Sequence, residues 1–133
     1  MSEPGQWIEQ VTWNIDGLLP AISQDCDSGR VLMMAWMNRE SLQLSVEGGY
    51  AVYWSRSRGQ LWRKGETSGN RQKIEAIRLD CDGDTLLLSV KQEGGIACHT
   101  GRESCFYRTL DGDHSWHSTD EVLRSPEELY GSK

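Results

Sequence analysis

Apolar positions along this chain come in short runs separated by turn residues, a pattern more typical of strands than of helices. The longest run is Val31–Met37, and Asp27-Ser28-Gly29 just before it has the composition of a turn. We therefore expect a strand that reaches Cys26 to turn into a second, buried strand. Asn38 follows as a predicted helix N-cap, and Gly48 would end that short helix.

The second half of the chain predicts further strands at 50–54, 61–62, 73–81, 85–90 and 105–108. Asp82-Gly83 lies between two of these runs and is a strong hairpin signal. Near the end, Ser118 with Glu121 and Ser125-Pro126 with Glu128 resemble the capped starts of short helices. The stretch 113–133 is polar and is expected to pack loosely. Together these runs predict an α+β fold of mostly antiparallel strands with a few short helices, in one compact domain over residues 1–133.

Length and composition narrow the class of protein. With 133 residues the chain can form one hydrophobic core without disulfides. Its longest apolar run is too short to cross a bilayer, and the N-terminal residues lack the basic and apolar regions of a secretory signal. We therefore expect a cytoplasmic protein with no membrane partner. In that reducing compartment the four cysteines are expected to be metal ligands or core thiols, and Cys26, which lacks partners at ligand spacing, is interpreted as a core thiol.

Charge is spread unevenly along the chain. The formal net charge of -6 argues against a nucleic-acid partner. The stretch from Trp54 to Lys73, which we call the basic window, nevertheless has one acid, Glu66, against six basic residues: Arg56, Arg58, Arg63, Lys64, Arg71 and Lys73. A basic island on an acidic protein is typical of a site for a small anionic ligand. The alternative is a pair of strands with a charged outer face.

Three cysteines are spaced as possible metal ligands. Sixteen residues separate Cys81 from Cys98, and six separate Cys98 from Cys105, so the Cys-x-x-Cys pairs of zinc ribbons are absent. Three thiolates without an obvious fourth protein ligand are the number expected of a catalytic zinc site, which keeps one coordination position open. The alternative is that these cysteines are buried core thiols.

Three aspartates alternate around the first of these cysteines. If the segment is extended, Asp80, Asp82 and Asp84 project to one face and Cys81 to the other. One face would then offer carboxylates to a hard cation such as magnesium. Cys81 would be free to serve a metal in a neighbouring subunit, which makes a homodimer our hypothesis. The alternative is a solvated hairpin turn.

His99 directly follows a candidate ligand. There it could act as a general base toward water or as a proton donor to a leaving nitrogen. The alternative is a hydrogen-bonded structural histidine. His114 and His117 lie in the polar tail and are interpreted as surface residues.

Five segments together resemble the phosphoribosyl-AMP cyclohydrolase family: Gly29–Asn38, Tyr53–Arg58, Leu61–Gly69, Asp80–Asp84 and Cys98–Arg108. They occur in the family's order, and the resemblance covers about residues 17–112. It implies the third step of histidine biosynthesis, in which water opens the adenine ring of N1-(5-phosphoribosyl)-AMP between N1 and C6. Many bacterial relatives carry a fused pyrophosphatase domain, and a monofunctional enzyme is expected here.

The resemblance also implies roles for individual residues. Zinc would be held by Cys98 and Cys105 together with Cys81 of the other subunit of a homodimer, and magnesium by Asp80, Asp82 and Asp84. The two phosphates of the substrate would explain the basic window, with contacts expected from Arg56, Arg58, Lys64 and Arg71. Hydroxyl donors are expected from Ser55, Ser57, Thr67 and Ser68. Three anionic thiolates would weaken the acidifying effect of zinc on water, so His99 is the expected base.

Two other classes compete with this interpretation. A zinc nucleobase deaminase would also use a three-ligand zinc, but its Pro-Cys-x-x-Cys signature is absent, because Pro4, Pro20 and Pro126 all lie far from the cysteines. A zinc-stabilised binding module that grips a phosphorylated ligand is the non-catalytic alternative. Its metal site should be closed and four-coordinate.

Overall fold

A six-stranded sheet dominates the structure, a computed structural model that describes residues 6–130. The elements in chain order are β1 Leu19–Asp25, β2 Val31–Met37, α1 Arg39–Gly48, β3 Val52–Ser55, β4 Gln60–Arg63, β5 Gln72–Leu79, β6 Leu86–Gln92, β7 Arg108–Leu110, β8 Trp116–Ser118 and α2 Pro126–Tyr130. Short 3-10 turns cover Gln6–Gln10 and Glu93–Gly95. Residues 1–5, from which the lack of a secretory signal was predicted, and residues 131–133 of the polar tail lie outside the described part.

The strands of the large sheet lie in the order β4-β3-β2-β1-β6-β5. Neighbours are antiparallel except β1 and β6, which run parallel and pair Ala21 with Leu86 and Asp25 with Val90. An isolated bridge between Tyr50 and Lys73 links β5 back to the residues before β3, so the sheet curls. Strands β7 and β8 form a separate hairpin. The α+β prediction with mostly antiparallel strands is confirmed.

Local signals around the first helix are confirmed residue by residue. The amide of Ser41 donates to the Asn38 side chain at 2.8 Å, and the amide of Asn38 donates to Ser41 Oγ at 2.9 Å, so each caps the other. The helix ends at Gly48, and Gly49 adopts the left-handed conformation with φ 79°. On the buried face, Ser45 Oγ accepts from the amide of Val52 at 2.8 Å and thereby joins the helix to β3.

The core combines apolar side chains of β1, β2 and β6 with one buried polar network. Tyr53 donates its hydroxyl to Gln72 Oε1 at 2.6 Å, and Gln72 Nε2 donates to Ser23 Oγ at 3.1 Å. Burial raises the pKa of Tyr53, so the hydroxyl remains a donor across the physiological range. The network ties three strands together and holds the strands from which the site is built.

Two predictions for the first strands need correction. Cys26 is exposed and is not a core thiol, because β1 ends at Asp25 and Cys26 lies in the turn that follows. Strand β2 is only partly buried, since Val31 is 39% and Met34 43% exposed. One face of β2 therefore presents apolar side chains to solvent.

The strand predicted at 105–108 is wrong. Ser104 Oγ donates to the carbonyls of Val31 and Leu32 at 2.8 and 3.2 Å, and it accepts from the amide of Phe106 at 3.0 Å. These side-chain bonds replace a strand ladder, and β7 begins only at Arg108.

The C-terminal region contains one of the two helices predicted for it. The helix predicted at Ser118 is absent, because Ser118 ends β8 and pairs with Arg108 of β7. The helix predicted after Ser125 is confirmed as α2, and Leu129 within it is buried. Most of residues 113–130 are exposed, in line with the loose packing expected of a polar stretch. His114 and His117 are exposed, as interpreted. No helix in the described range 6–130 is long and apolar enough to cross a membrane.

Candidate active site

Three aspartates meet in the tight turn between β5 and β6. The hairpin turn predicted at Asp82-Gly83 is confirmed, because the amide of Gly83 donates to the carbonyl of Asp80 at 3.0 Å; the extended conformation on which the alternation depended is not found. The amides of Asp84 and Thr85 donate to Asp80 Oδ1 at 2.9 and 3.2 Å. One carboxylate oxygen from each of Asp80, Asp82 and Asp84 nevertheless lies within 4.8 Å of the other two. The three carboxylates therefore converge as predicted, but a tight turn brings them together instead of the alternation of an extended strand.

The turn shifts the pKa values of two of these carboxyl groups in opposite directions. Desolvation opposes ionisation of Asp80, but the amides of Asp84 and Thr85 outweigh it and lower its pKa. Asp84 shows the opposite shift, since its hydrogen bond with the Asp80 carboxyl, together with the charge on Asp82, raises its pKa. All three groups are exposed to solvent. An exposed set of carboxylate oxygens fits magnesium, which binds few carboxylates and retains several waters.

Cys98 and Cys105 lie at the two ends of a short loop that packs on β2. The amide of Cys98 bonds to the Arg102 carbonyl at 3.1 Å, and the amide of Cys105 bonds to the Leu32 carbonyl at 2.7 Å. The two thiols lie close enough to interact electrostatically, and desolvation followed by the proximity of Cys98 raises the pKa of Cys105 to about 12. Thr100 Oγ1 donates to Cys98 Sγ at 3.0 Å. We call residues 98–105 the cysteine loop.

Lys64 brings a positive charge to this pair of thiols. Its side chain is buried, with 7% exposed, and its ammonium donates to the carbonyl of Ala97, the residue before Cys98. It also lies 5.3 Å from the ring centre of Trp62. Desolvation lowers the pKa of Lys64, and the thiols of Cys105 and Cys98 partly oppose that shift. The residue predicted as a phosphate contact therefore also belongs to the surroundings of the cysteines.

Cys81 does not join the other two cysteines within one chain. It is exposed on the β5–β6 turn. Over residues 6–130, only two clusters of three His, Cys, Asp or Glu residues bring ligand atoms within 4.8 Å of one another. One is the aspartate turn, and the other is Asp111, Asp113 and His117 on the β7–β8 hairpin. The thiol pair is incomplete as a three-cysteine site unless a second chain supplies Cys81.

A cavity of about 690 Å³, which we call the main cavity, gathers most of the predicted substrate contacts. Its size falls in the range of small-molecule sites. The predicted residues in its wall are His99, Arg58, Lys64, Ser55, Ser57, Thr67 and Ser68. Trp62 also lines it and packs against Tyr53 with ring centres 5.5 Å apart. The wall therefore combines cations, hydroxyls, aromatic rings and one imidazole, which suits a phosphorylated nucleotide.

Two predicted phosphate contacts lie outside the main cavity. The guanidinium of Arg56 sits 4.6 Å from the ring centre of Trp36. Arg71 pairs with Glu93 at 3.1 Å and lies 4.1 Å from the ring centre of Tyr50. Arg71 lines a second, smaller cavity of about 330 Å³. Because Arg56 and Arg71 lie outside the main cavity, their positions do not support the predicted phosphate contacts.

Tyr130 is a residue of the main cavity that lies outside every segment from which the site was predicted. Tyr130 lines the cavity together with His99, although 30 positions separate the two along the chain. The capped helix at Ser125 was a correct local signal, but nothing in the sequence indicated where that helix would dock.

The donor atoms present fit the metals that the motifs imply. Cys98 and Cys105 offer two adjacent sulfurs with a cation, Lys64, beside them, and thiolate is a preferred zinc ligand. The aspartate turn offers only oxygen ligands, which magnesium prefers. The two sets are chemically distinct and fit two different ions.

Comparison with known proteins gives consistent matches. The family model for phosphoribosyl-AMP cyclohydrolase matches residues 33–107. A phosphoribosyl-AMP cyclohydrolase of Marinobacter nauticus is 64% identical over 126 residues, covering 95% of this chain and 91% of that protein. The protein of the same name from Cellvibrio japonicus is 63% identical over 124 residues, covering 93% of this chain and 98% of that protein. The resemblance drawn from the five segments is confirmed, and the chain belongs to the phosphoribosyl-AMP cyclohydrolase family.

Proposed function

We propose that this chain hydrolyses the N1–C6 bond of the adenine ring in N1-(5-phosphoribosyl)-AMP, the third step of histidine biosynthesis. The observation that carries the proposal is the main cavity, in which His99 and the hydroxyl and basic residues of the basic window share one wall. Relatives of this name at 63–64% identity support it. A phosphorylated metabolite as substrate is consistent with a cytoplasmic enzyme, and that location is part of the proposal.

The residues of the cavity divide into two groups by chemistry. Arg58 and Lys64 bring positive charge, and Ser55, Ser57 and Ser68 bring hydroxyl donors, so this group binds phosphate through charge-assisted hydrogen bonds. His99 is exposed and borders the same space. Its imidazole takes a proton from the attacking water and returns one to the ring nitrogen that leaves, as general acid–base catalysis requires.

The cysteines and aspartates are the proposed metal ligands. Cys98, Cys105 and Cys81 of a second copy would hold zinc, and Asp80, Asp82 and Asp84 would hold magnesium. When bound, zinc supplies Lewis acidity that makes water nucleophilic near neutral pH. Lys64 holds the cysteine side of the site through the Ala97 carbonyl and balances part of the thiolate charge.

A homodimer is part of this proposal. Its support is the separation of Cys81 from the thiol pair, together with apolar surface near the cysteine loop. Val31 and Met34 of β2 are exposed, and Phe106, beside Cys105, is 58% exposed. A second chain that covers this surface and delivers Cys81 would complete the proposed site.

A ring-opening assay tests the proposed function. Metal-loaded protein is mixed with N1-(5-phosphoribosyl)-AMP, and the ultraviolet spectrum is followed for the wild type, Cys98→Ser and Cys26→Ser. We expect rapid spectral change with the wild type and with Cys26→Ser, since Cys26 is exposed outside the site, and almost none with Cys98→Ser. His99→Ala should lower kcat by about 100- to 10,000-fold.

Two outcomes would contradict the proposal. A fully metallated wild type that leaves the substrate unchanged would favour the zinc-stabilised binding module. Release of ammonia during the reaction would favour a deaminase. Ring opening adds water and releases no second product, because the departing nitrogen stays attached to the opened ring.

A further inference from the structure

The last described part of the chain docks against the cysteine loop. We call residues 119–130 the C-terminal arm. The amide of Leu123 donates to the carbonyl of Gly101 at 2.8 Å. Gly101 has a φ of +88°, and a Cβ on it would lie 1.7 Å from the carbonyl oxygen of Arg124. Only glycine permits backbone contact this close, so the arm and the cysteine loop are fitted to each other.

A second set of contacts fixes the start of the arm. Arg30 pairs with both Glu103 of the cysteine loop and Asp120 of the arm. Arg102 Nε donates to the carbonyl of Asp120 at 3.1 Å. The amide of Thr119 donates to the carbonyl of Tyr107 at 2.7 Å. The arm is therefore held on both sides of the loop that carries Cys98 and Cys105.

Helix α2 ends the arm at the main cavity. Ser125 and Glu128 cap it reciprocally, with the amide of Glu128 donating to Ser125 Oγ at 3.2 Å and the amide of Ser125 donating to Glu128 Oε1 at 3.1 Å. Leu129 is buried at 6% exposure and anchors the helix. The next residue, Tyr130, lines the cavity beside His99 and keeps 41% of its surface exposed.

The docking of the arm tells which end of the cavity Tyr130 occupies. The arm that carries Tyr130 bonds to Gly101 and Arg102 of the cysteine loop, and His99 of the same loop lines the cavity together with Tyr130. A tyrosine hydroxyl is protonated at neutral pH and can donate a hydrogen bond. Tyr130 is thus at the cysteine end of the cavity, where His99 also lies.

We propose that Tyr130 is a substrate-binding residue whose hydroxyl hydrogen-bonds the base of the nucleotide, next to His99. The C-terminal arm, by docking on the cysteine loop, sets where that hydroxyl lies. This inference rests on the proposed function, which puts the reacting base at the cysteine end. Tyr130 lies beyond residues 33–107, the part of the chain that the family model matches.

Tyr130→Phe tests the inference, because it removes the hydroxyl and keeps the ring. The matched control is Tyr107→Phe, on a tyrosine that stacks with Arg102 at 4.0 Å and does not line the main cavity. We expect Tyr130→Phe to lower kcat/KM by about 3- to 10-fold, mostly through KM, as loss of one neutral hydrogen bond predicts. Zinc content and thermal midpoint should stay at the wild-type values, and Tyr107→Phe should leave kcat/KM unchanged.

A second measurement separates failure of this inference from failure of the proposed function. AMP, which carries the same base, ribose and one phosphate, is titrated into wild type and Tyr130→Phe by calorimetry. If the wild type opens the ring and Tyr130→Phe matches it within twofold in kcat/KM, the inference is overturned while the function stands. If the wild type is inactive, weaker AMP binding by Tyr130→Phe supports the tyrosine contact, and equal or absent AMP binding overturns both.

Discussion

Lys64 is a buried side chain that lines the main cavity and also supports the cysteines. Its charge has lost most of its water, and desolvation lowers its pKa more than the neighbouring thiols restore it. A buried cation opposite protonated thiols is therefore costly, whereas opposite thiolates it is compensated. The benefit of Lys64 should appear only when the cysteines are deprotonated, as they are when they bind a metal.

The variant Lys64→Met tests whether Lys64 contributes only in the metal-bound protein. We expect zinc affinity to fall by about 10- to 100-fold, because a group that supports metal ligands has been removed. The stability of the metal-free protein should change by less than about 1 kcal/mol, since loss of the bond to Ala97 is offset by relief of the buried charge. Competition with a chelator gives the affinity, and urea unfolding gives the stability.

Lys73→Met is the control, on an exposed lysine of β5. Equal zinc affinities of the two variants would show that Lys64 does not support the ligands. A large loss of metal-free stability in Lys64→Met alone would show that its role is structural.

At the scale of elements, the features predicted correctly are those specified by neighbours in sequence. The strand at Val31–Met37 and the cap at Asn38 depend on a few consecutive residues, and both are as predicted. For the aspartate segment, the hairpin signal at Asp82-Gly83 was correct, whereas the extended alternation of Asp80, Asp82 and Asp84 was not. In the structure Asp80 accepts from amides further along and bends the chain.

Long-range docking explains what could not be predicted. Most of the predicted substrate contacts reach the main cavity, because they lie on β3, β4 and the adjoining turns. Tyr130 reaches it through the docking of the C-terminal arm, including the fit to Gly101, and such contacts leave no local pattern. Cys26 was interpreted as a core thiol because it lacks partners at ligand spacing, yet the strand ends one residue earlier and leaves Cys26 exposed.

The turn between β1 and β2 gives an element-scale prediction. The Asp25 carboxylate accepts from the amides of Ser28 and Asp27 at 2.6 and 3.1 Å, and chiefly the Ser28 amide lowers its pKa. A lowered pKa in the folded state means that this carboxylate contributes stability above its unfolded pKa and loses it as the pH falls through the folded one. Asp25→Ala should therefore destabilise by about 1 kcal/mol at pH 7.

The same pair of proteins shows the pH dependence. Urea unfolding of wild type and Asp25→Ala between pH 7 and pH 3 should give a difference in unfolding free energy that shrinks as the pH falls below 3.8, the ordinary pKa of an aspartate carboxyl. Asp27→Ala, at a neighbouring exposed position, is the control for removing a carboxylate from the same turn. A difference that stays constant with pH would mean that the side chain acts by something other than its charge.

For the molecule as a whole, the arrangement of cysteines bears on assembly. Two thiols meet on one side of the chain, while Cys81 lies apart on the β5–β6 turn. A site that uses all three thus divides its ligands between two copies. In a symmetric dimer each such site would take two ligands from one chain and one from the other.

Mixing inactive variants tests this division. Cys81→Ser and Cys98→Ser should each be inactive alone, but unfolding and refolding them together should restore about a quarter of wild-type activity, since half of the dimers are mixed and each has one intact site. Activity is measured by the ring-opening assay.

The matched control mixes Cys98→Ser with Cys105→Ser. Both substitutions remove ligands that one chain supplies to its own site. No mixed dimer therefore has an intact site, and no activity should return. Recovery in the control, or none in the first mixture, would be incompatible with Cys81 acting across the interface.

The parallel pairing of β1 with β6 also has a consequence for how the chain reaches this fold. Strands β1 to β4 are neighbours in sequence and in space, as are β5 and β6, so each antiparallel block can form from nearby residues. The seam between the blocks joins Ala21 to Leu86 and Asp25 to Val90. Closing so long a loop costs entropy before any seam hydrogen bond compensates for it. This interior pairing of the sheet is thus the strand pairing with the highest contact order, and the core can be completed only after β6 has been made.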